Sequence, residues 1–245
     1  MLNIAELLLL GSCVGFLSGF FGIGGGTVLV PALMLMGFAI KDAIGISSMQ
    51  MVFSSIFGSY LNRKNRSLDL RMGLIIGSGG FVGAIFSGFM ATKMDDALLE
   101  SIFLLFAIFA LVRLFIQPKT PKKQREVSEW ILFVLGIFLG VAGMLVGVGG
   151  SILLVPILVG FLHIDIKRAV SSGLFFVVFS SISGFASHYI SRGVDLHSGI
   201  VVGLSSLAGV YLGIILKERV SVLLQRRLLV LFYLIIVIYL LFRLF

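Results

Sequence analysis

The chain has 245 residues, of which 59% are hydrophobic and 12% charged, with a mean hydropathy of +1.16. A soluble domain carries about 25% charged residues, so an ordinary water-exposed surface is excluded, and so is disorder, which needs low hydrophobicity and high charge. The net charge of +8 calls for no nucleic acid, because basic residues in short juxtamembrane loops set orientation and meet anionic lipid.

With Cys13 as the one cysteine, no intrachain disulfide framework exists. What remains is an all-α polytopic membrane protein in a lipid bilayer. The first charge-free window covers 7–40. It is too long for one span of about 20 residues and short for two, and Gly22, Gly24, Gly25 and Gly26 fall in its middle. It is predicted as a full helix, a break and a shorter returning helix, kinked at Pro31. The opening stretch resembles a signal peptide but lacks a basic start, Glu6 being its only early charge, so it reads as a first membrane helix. Windows 43–62, 72–92 and 101–112 each predict one more helix. The polar stretch 117–129 is a linker between a first membrane unit, 1–116, and a second, 130–245. Window 130–164 repeats the long pattern, with Gly147, Gly149 and Gly150 in its middle and Pro156 beyond; 169–191, 196–216 and 228–242 follow. These segments are apolar throughout and lack the alternation of a lipid-facing barrel strand.

The two units are repeats. Shifted by 125 residues, GFLSGFFGIGGGTVLVP (15–31) aligns without gaps on GVAGMLVGVGGSILLVP (140–156). One residue further on, Ser54, Ser55 and Gly58 meet Ser180, Ser181 and Gly184, and Asp69 and Gly73 meet Asp195 and Gly199. Internal repeats are a hallmark of transporter folds. Counting the short helix after each glycine run as a return crossing gives an inverted arrangement of five plus five segments. That places 15 basic residues on one side and 4 on the other. A four-plus-four arrangement gives 8 against 11. The positive-inside rule favours the first, with both termini outside; eight spans stay open as the alternative, since each short helix holds only about a dozen residues against the roughly 20 of a span.

Glycine lets a chain leave helical geometry and lets other backbone approach. A fresh helix is expected at Thr27 and at Ser151, each read as an N-cap. Helix N-termini offer free N–H groups and a positive dipole end, and they bind anions. Two breaks at matching repeat positions point to a substrate site near the midplane. The candidate binding residues are Gly22, Gly24, Gly25, Gly26 and Thr27 with Gly147, Gly149, Gly150 and Ser151. Ser47, Ser48 and Gln50, with Ser171 and Ser172, add hydroxyls and an amide after each short helix. The competing reading is close helix packing through small residues, as in a membrane scaffold or accessory subunit. Asn62 and His188 align at helix ends and read as interfacial, whereas Asp69 and Asp195 read as helix caps. All acidic residues fall at or near segment ends, which disfavours a carboxylate-based cation pump. No metal-ligand spacing, Walker motif or serine-nucleophile elbow is present, so neither an enzyme nor a cofactor is expected.

The pair SGFFGIGGGTVLVP and AGMLVGVGGSILLVP, each followed by a serine-rich helix, resembles the TauE/SafE family of sulfite exporters and related permeases. The resemblance covers nearly the whole chain. It implies a multi-pass transporter in the prokaryotic cell (inner) membrane that moves small sulfur-containing anions, such as sulfite, sulfoacetate or organosulfonates, without ATP hydrolysis. The matching positions are Gly22, Gly24, Gly25 and Pro31 with Gly147, Gly149, Gly150 and Pro156; Ser151 stands where the first half has Gly26. Family members differ in substrate and direction, and a homo-oligomer is compatible with the sequence.

Overall fold

The computed structural model describes residues 3–21, 24–62, 70–115, 127–162, 164 and 166–244, and every regular element among them is helical. In chain order these are α1 (Ile4–Phe21), α2 (Gly26–Leu35), α3 (Ile40–Asn62), α4 (Leu70–Ala84), α5 (Ser87–Lys93) and α6 (Asp96–Phe115). After the linker come α7 (Glu129–Leu145), α8 (Ser151–Gly160), α9 (Ile166–Arg192), α10 (Leu196–Arg219) and α11 (Val222–Leu244). Helices satisfy their own backbone groups, which lipid cannot do for them. Among the described residues four stretches are long and apolar enough to cross a membrane: Ile4–Phe21, Arg71–Lys93, Leu196–Leu216 and Leu223–Leu244. Helices α3 and α9 are long but carry glycine and serine runs, and they lie at the centre, where α3 packs on α9 and α10 and α9 on α4. Polarity is turned inward. Ser47, Ser48, Gln50, Ser180 and Ser181 are buried, while Leu231, Ile235, Ile238 and Phe242 of α11 face out. An exterior this apolar fits lipid rather than water.

Rows of glycines bring two pairs of long helices, α1 with α10 and α4 with α7, into backbone contact. On α1, Gly11, Gly15 and Gly19 recur every four residues, and a methyl group at Gly15 or Gly19 would fall on the carbonyl of Ser206 or Val210 in α10. From the other side, Gly209 and Gly213 abut the carbonyls of Ser12 and Phe16. Contact positions rise together along both helices, so α1 and α10 run parallel. Helices α4 and α7 repeat this: Gly136 and Gly140 lie on the carbonyls of Ile76 and Gly80, and Gly79 and Gly83 on those of Phe133 and Ile137. Small residues in such rows let membrane helices pack backbone to backbone.

Ion pairs mark the ends of the bundle. At one end Lys41 pairs with Asp96 at 3.3 Å, Arg192 with Asp42 at 2.7 Å and Arg243 with Glu100 at 3.0 Å. Arg243 also donates to the Met34 carbonyl in the last turn of α2, at 3.4 Å. At the other end Arg71 pairs with Glu129, and Arg113 reaches the Pro156 carbonyl of α8 at 3.5 Å. Arginines at the C-terminal turns of α2 and α8 meet the negative ends of both helix dipoles. The short helices thus run outward from mid-bundle to opposite ends.

Two expectations change. Window 72–92 is two helices, because the chain turns at Ile85–Phe86; Ser187 of α9 accepts the Gly88 N–H at 3.0 Å and donates to the Ile85 carbonyl at 2.5 Å. Window 101–112 grows into the 20-residue α6, whose charges sit where the dipole welcomes them, Asp96 in the first turn and Arg113 in the last. Glu100 lies near a segment end as expected, one turn inside α6, where it is buried and its charge is answered by Arg243. Pro31 and Pro156 are each the sixth residue of a ten-residue helix that continues beyond them. Their missing N–H groups leave the carbonyls of Thr27 and Ile152 without the usual partner four residues on.

Candidate functional site

The second break is built by left-handed backbone. Helix α7 ends with Gly147 at φ 69°, Gly147 N–H donating to the Met144 carbonyl at 3.2 Å and Val148 N–H to the Gly143 carbonyl at 2.8 Å. This is a Schellman stop, which favours glycine at the left-handed position. Gly149 and Gly150, at φ 78° and 69°, then turn the chain into α8. Side chains there are blocked as well: a methyl at Gly149 would meet Met51 Sδ at 2.8 Å, and one at Gly150 the Leu139 carbonyl at 2.7 Å. In the first break Gly24 has φ 78°. Gly22 lies outside the described residues.

The helix starts differ from expectation. The N-caps are Gly25 and Gly150, not Thr27 and Ser151, and neither has a side-chain cap. The glycines themselves enter the first turn, which moves each helix start upstream and puts the two hydroxyl residues inside it. Thr27 Oγ1 instead turns back to donate to the Gly24 carbonyl at 3.2 Å. The ladder of α2 opens with Val28 and Leu29 donating to the Gly25 carbonyl at 3.1 and 2.9 Å. The amides of Gly26 and Thr27 precede it, as do those of Ser151 and Ile152 in α8, where Leu153 and Leu154 donate first.

The two breaks touch each other. Ser47 of α3 donates to the Gly147 carbonyl at 2.9 Å, and a methyl at Gly26 would fall on that same carbonyl. A methyl at Gly24 would make only ordinary contacts, with Ser151 Oγ at 3.8 Å and the Val148 carbonyl at 3.9 Å. On α9, Gly173 lies against Ser151 Cβ at 3.9 Å. The structure therefore gathers Gly24, Gly25, Gly26, Ser47, Gln50, Gly147 and Ser151 at the facing starts of α2 and α8. Gly149 and Gly150 are turned toward neighbouring helices.

Hydrogen bonding separates the polar candidates. Ser48 donates to the Gly45 carbonyl of its own helix at 2.7 Å, and Ser54, Ser55, Ser180 and Ser181 bond within their helices in the same way. Such back-bonding is a local solution that leaves the hydroxyl proton spent. Gln50 is different. It is fully buried, its amide lies against Gly25, and neither Oε1 nor Nε2 has a partner. Ser172 is also buried with an unpartnered hydroxyl. The side chain of Ser171 lies outside the described residues. A buried polar group without a partner costs about 1–3 kcal/mol, and each case asks for a ligand, a water or strain to account for it.

Other residues have structural duties. His188 is not interfacial: it is buried, its Nε2 3.0 Å from the Met144 carbonyl and 3.5 Å from Ser87 Oγ. It braces the end of α7 just before the second break. Asn62 closes α3, and its side chain is outside the described residues, as is Asp69. Asp195 caps α10, accepting from Ser198 N–H at 3.2 Å and Ser198 Oγ at 2.6 Å. Those bonds, the hydroxyl's first, hold its carboxyl below the usual range. Sequence reasoning missed Tyr233 of α11, which is buried and turns its hydroxyl toward Thr27. Its only signal was its place, with Tyr239, as one of two tyrosines in an otherwise apolar window. Among the described residues no cluster of His, Cys, Asp and Glu could hold a metal.

Comparison with known proteins points to a family of membrane transporters. A family model described as "Sulfite exporter TauE/SafE" matches residues 7–240. The chain is 28% identical over 220 residues to a probable membrane transporter protein of Bacillus subtilis (strain 168), covering 87% of this chain and 88% of that one. It is 26% identical over 238 residues to a probable membrane transporter protein of Methanocaldococcus jannaschii, covering 90% and 89%. A probable membrane transporter protein of Haemophilus influenzae is 26% identical over 193 residues, covering 75% and 73%. No solved structure matches the chain.

Proposed function

The chain belongs to the TauE/SafE sulfite exporter family, and from that premise, which makes it a multi-pass membrane transporter, we propose that it carries small sulfur-containing anions by alternating access. The anion sits mid-bundle between the starts of α2 and α8. One observation carries this reading: the unpaired, fully buried amide of Gln50 beside Gly25. Free amides of a first helical turn and a carboxamide donor suit an oxyanion without a fixed cation. Dipole-based binding of this kind is weak enough to permit release. Ser172 and Ser151 are the matching donors from the second half, and Ser171 stays a candidate from the sequence alone.

The inverted five-plus-five arrangement gives the motion. Each half opens with a long helix and a short returning one, α1–α2 and α7–α8. The opening helix lies along the fourth segment of the other half, α1 on α10 and α7 on α4. Ion pairs between halves, Asp42–Arg192 and Glu100–Arg243, hold one end closed. By the count of basic residues that end is the outer face of the cell membrane. Rocking one repeat against the other breaks those pairs and turns the site from one face to the other. Packing alone explains the glycine rows of α1 and α7, but it leaves the Gln50 amide without a purpose, which disfavours a pure scaffold.

The test is sulfite counterflow into proteoliposomes. Gln50→Leu lowers counterflow at least tenfold while leaving thermal stability equal or higher, because an unpaired buried amide is removed. A wild type that moves no anion, or a Gln50→Leu protein with undiminished counterflow, contradicts the assignment.

A further inference from the structure

Helices α6 and α11 end the two halves and correspond to each other. Shifted by 130 residues, LVRLF (111–115) meets LFRLF (241–245), so Arg113 matches Arg243. The fold keeps the correspondence, because Phe103 and Tyr233, the same distance apart in sequence, line one small cleft. Each arginine reaches the short helix of the opposite half. Arg243 donates to the Met34 carbonyl of α2 at 3.4 Å, and Arg113 to the Pro156 carbonyl of α8 at 3.5 Å. The Arg113 guanidinium lies over Gly160, where a methyl would stand 3.4 Å from Nη2.

The counter-charge is not repeated. Glu100, one turn inside α6, pairs with Arg243 in the last turn of α11 at 3.0 Å, so the two helices run antiparallel. The same register sets Val230 of α11 opposite Arg113. Arg243 has the Glu100 carboxylate and the Tyr239 hydroxyl; the matching positions for Arg113 hold Val230 and Phe109. Among the described residues no carboxylate pairs with Arg113, which is partly buried, and its Nε is shielded from solvent without an acceptor. A guanidinium has five N–H donors, and one long bond to a carbonyl uses one of them. The end of a helix supplies only about half an elementary charge. Arg243 makes the same kind of carbonyl contact and still keeps a carboxylate, so capping α8 does not account for Arg113. A partly buried cation of this sort calls for an anion from outside the chain.

Its place in the fold says which anion. Helices α6 and α8 lie side by side and run toward the same end: Phe106 and Ile152 meet mid-bundle, and Arg113 and Pro156 meet further on. Helix α8 thus starts at the proposed anion site and ends at Arg113. By the count of basic residues that end faces the cell interior.

We propose that Arg113 is an inner-face capture station, distinct from the midplane site, where a small oxyanion docks on the guanidinium before entering and after leaving along α8. This rests on the anion-transport reading. The midplane site binds through amides and dipoles; Arg113 adds the full positive charge that concentrates anions at the mouth and forks onto two oxyanion oxygens. On the outer face Glu100 competes for the equivalent arginine, so the two faces differ in apparent affinity.

Exchange of labelled sulfite by the full chain is measured in inverted membrane vesicles, inner face outward, and in right-side-out vesicles. Arg113→Gln raises the half-saturating sulfite concentration about tenfold on the inner face and less than twofold on the outer. Val230→Glu sets a carboxylate against Arg113, as Glu100 stands against Arg243, and gives the same inner-face rise with an equal or higher Tm. Wild-type half-saturation on that face climbs with ionic strength, and both variants flatten the climb. An inner-face half-saturation unchanged in either variant, or raised equally on both faces, overturns the station and leaves the midplane site standing. A phospholipid that native mass spectrometry finds on the wild type and not on Arg113→Gln, with inner-face half-saturation unchanged, assigns the guanidinium to a lipid phosphate and also overturns the station. A wild type that exchanges no sulfite overturns the anion reading and the station together.

Discussion

Glycine serves two opposite ends in this protein. Along α1 and α7 it removes a side chain so that a partner's backbone can fill the space: Gly15 lies on Ser206 and Gly140 on Gly80, with no room to spare. At Gly24 the backbone is left-handed, a side chain would meet its neighbours only at ordinary contact distance, and the Gln50 amide against the next glycine is unpaired. The first pattern has the economy of a packed interface, every gap filled. The second keeps polar groups buried and unsatisfied, which packing does not call for. Residue type therefore does not tell a glycine that packs from a glycine that makes a site; the bonding of the polar groups around it does.

Substitutions sharpen that contrast, beginning with the largest effect. Gly15→Leu drives a side chain into the α10 backbone, which cannot yield cheaply; the cost exceeds about 4 kcal/mol, and the protein fails to give a single folded species on size exclusion in detergent. A normally folded Gly15→Leu protein removes the packing half of the contrast. Glu100→Gln strips the partner from Arg243, leaving a half-buried charge. Between the limits for surface and buried pairs this costs about 1–3 kcal/mol, read as a lower Tm, and Arg243→Gln combined with it recovers part of the loss. Gly24→Ala meets the Val148 carbonyl and Ser151 Oγ only at ordinary contact distance, so its cost is that of the left-handed conformation, about 1–2 kcal/mol. It yields folded protein in which transport, not stability, is the more impaired.

The smallest effect concerns a polar group that is satisfied. Asp195→Ala removes the cap of α10 for about 1 kcal/mol, and Asp195→Asn changes stability by only a few tenths. Because the Asp195 carboxyl is held below its usual range, its stabilisation is present above the unfolded value, near pH 4. It is lost as pH falls through the folded value. The Tm gap between wild type and Asp195→Ala therefore narrows below about pH 4; a gap that stays constant there contradicts the capping role.

Much of the fold could be read from charge-free windows, since lipid leaves little choice but helices. The breaks at 24–26 and 147–150 were legible because glycine runs repeat at matching positions. Helix partners were not legible, because the α1–α10 and α4–α7 contacts join residues far apart in sequence. The turn at Ile85–Phe86 lies in a stretch as apolar as its flanks and is stitched by Ser187 from another helix, so no local signal marks it. The N-caps slipped because glycine can itself enter a first turn, which a rule based on Ser and Thr does not anticipate. At the site, hydroxyls were counted as equivalent donors. Which of them are spent on their own helix, like Ser48, and which polar groups are left over, like Gln50 and Ser172, depends on tertiary contacts that composition does not encode.

The most direct measurement locates the anion itself. Selenite, the heavier congener of sulfite, gives an anomalous diffraction signal in crystals of the protein. The account predicts a peak between the starts of α2 and α8, within hydrogen-bond reach of the Gln50 amide and absent from Gln50→Leu crystals. A peak elsewhere in the bundle that persists in Gln50→Leu, with the space over Gly24 empty, contradicts it.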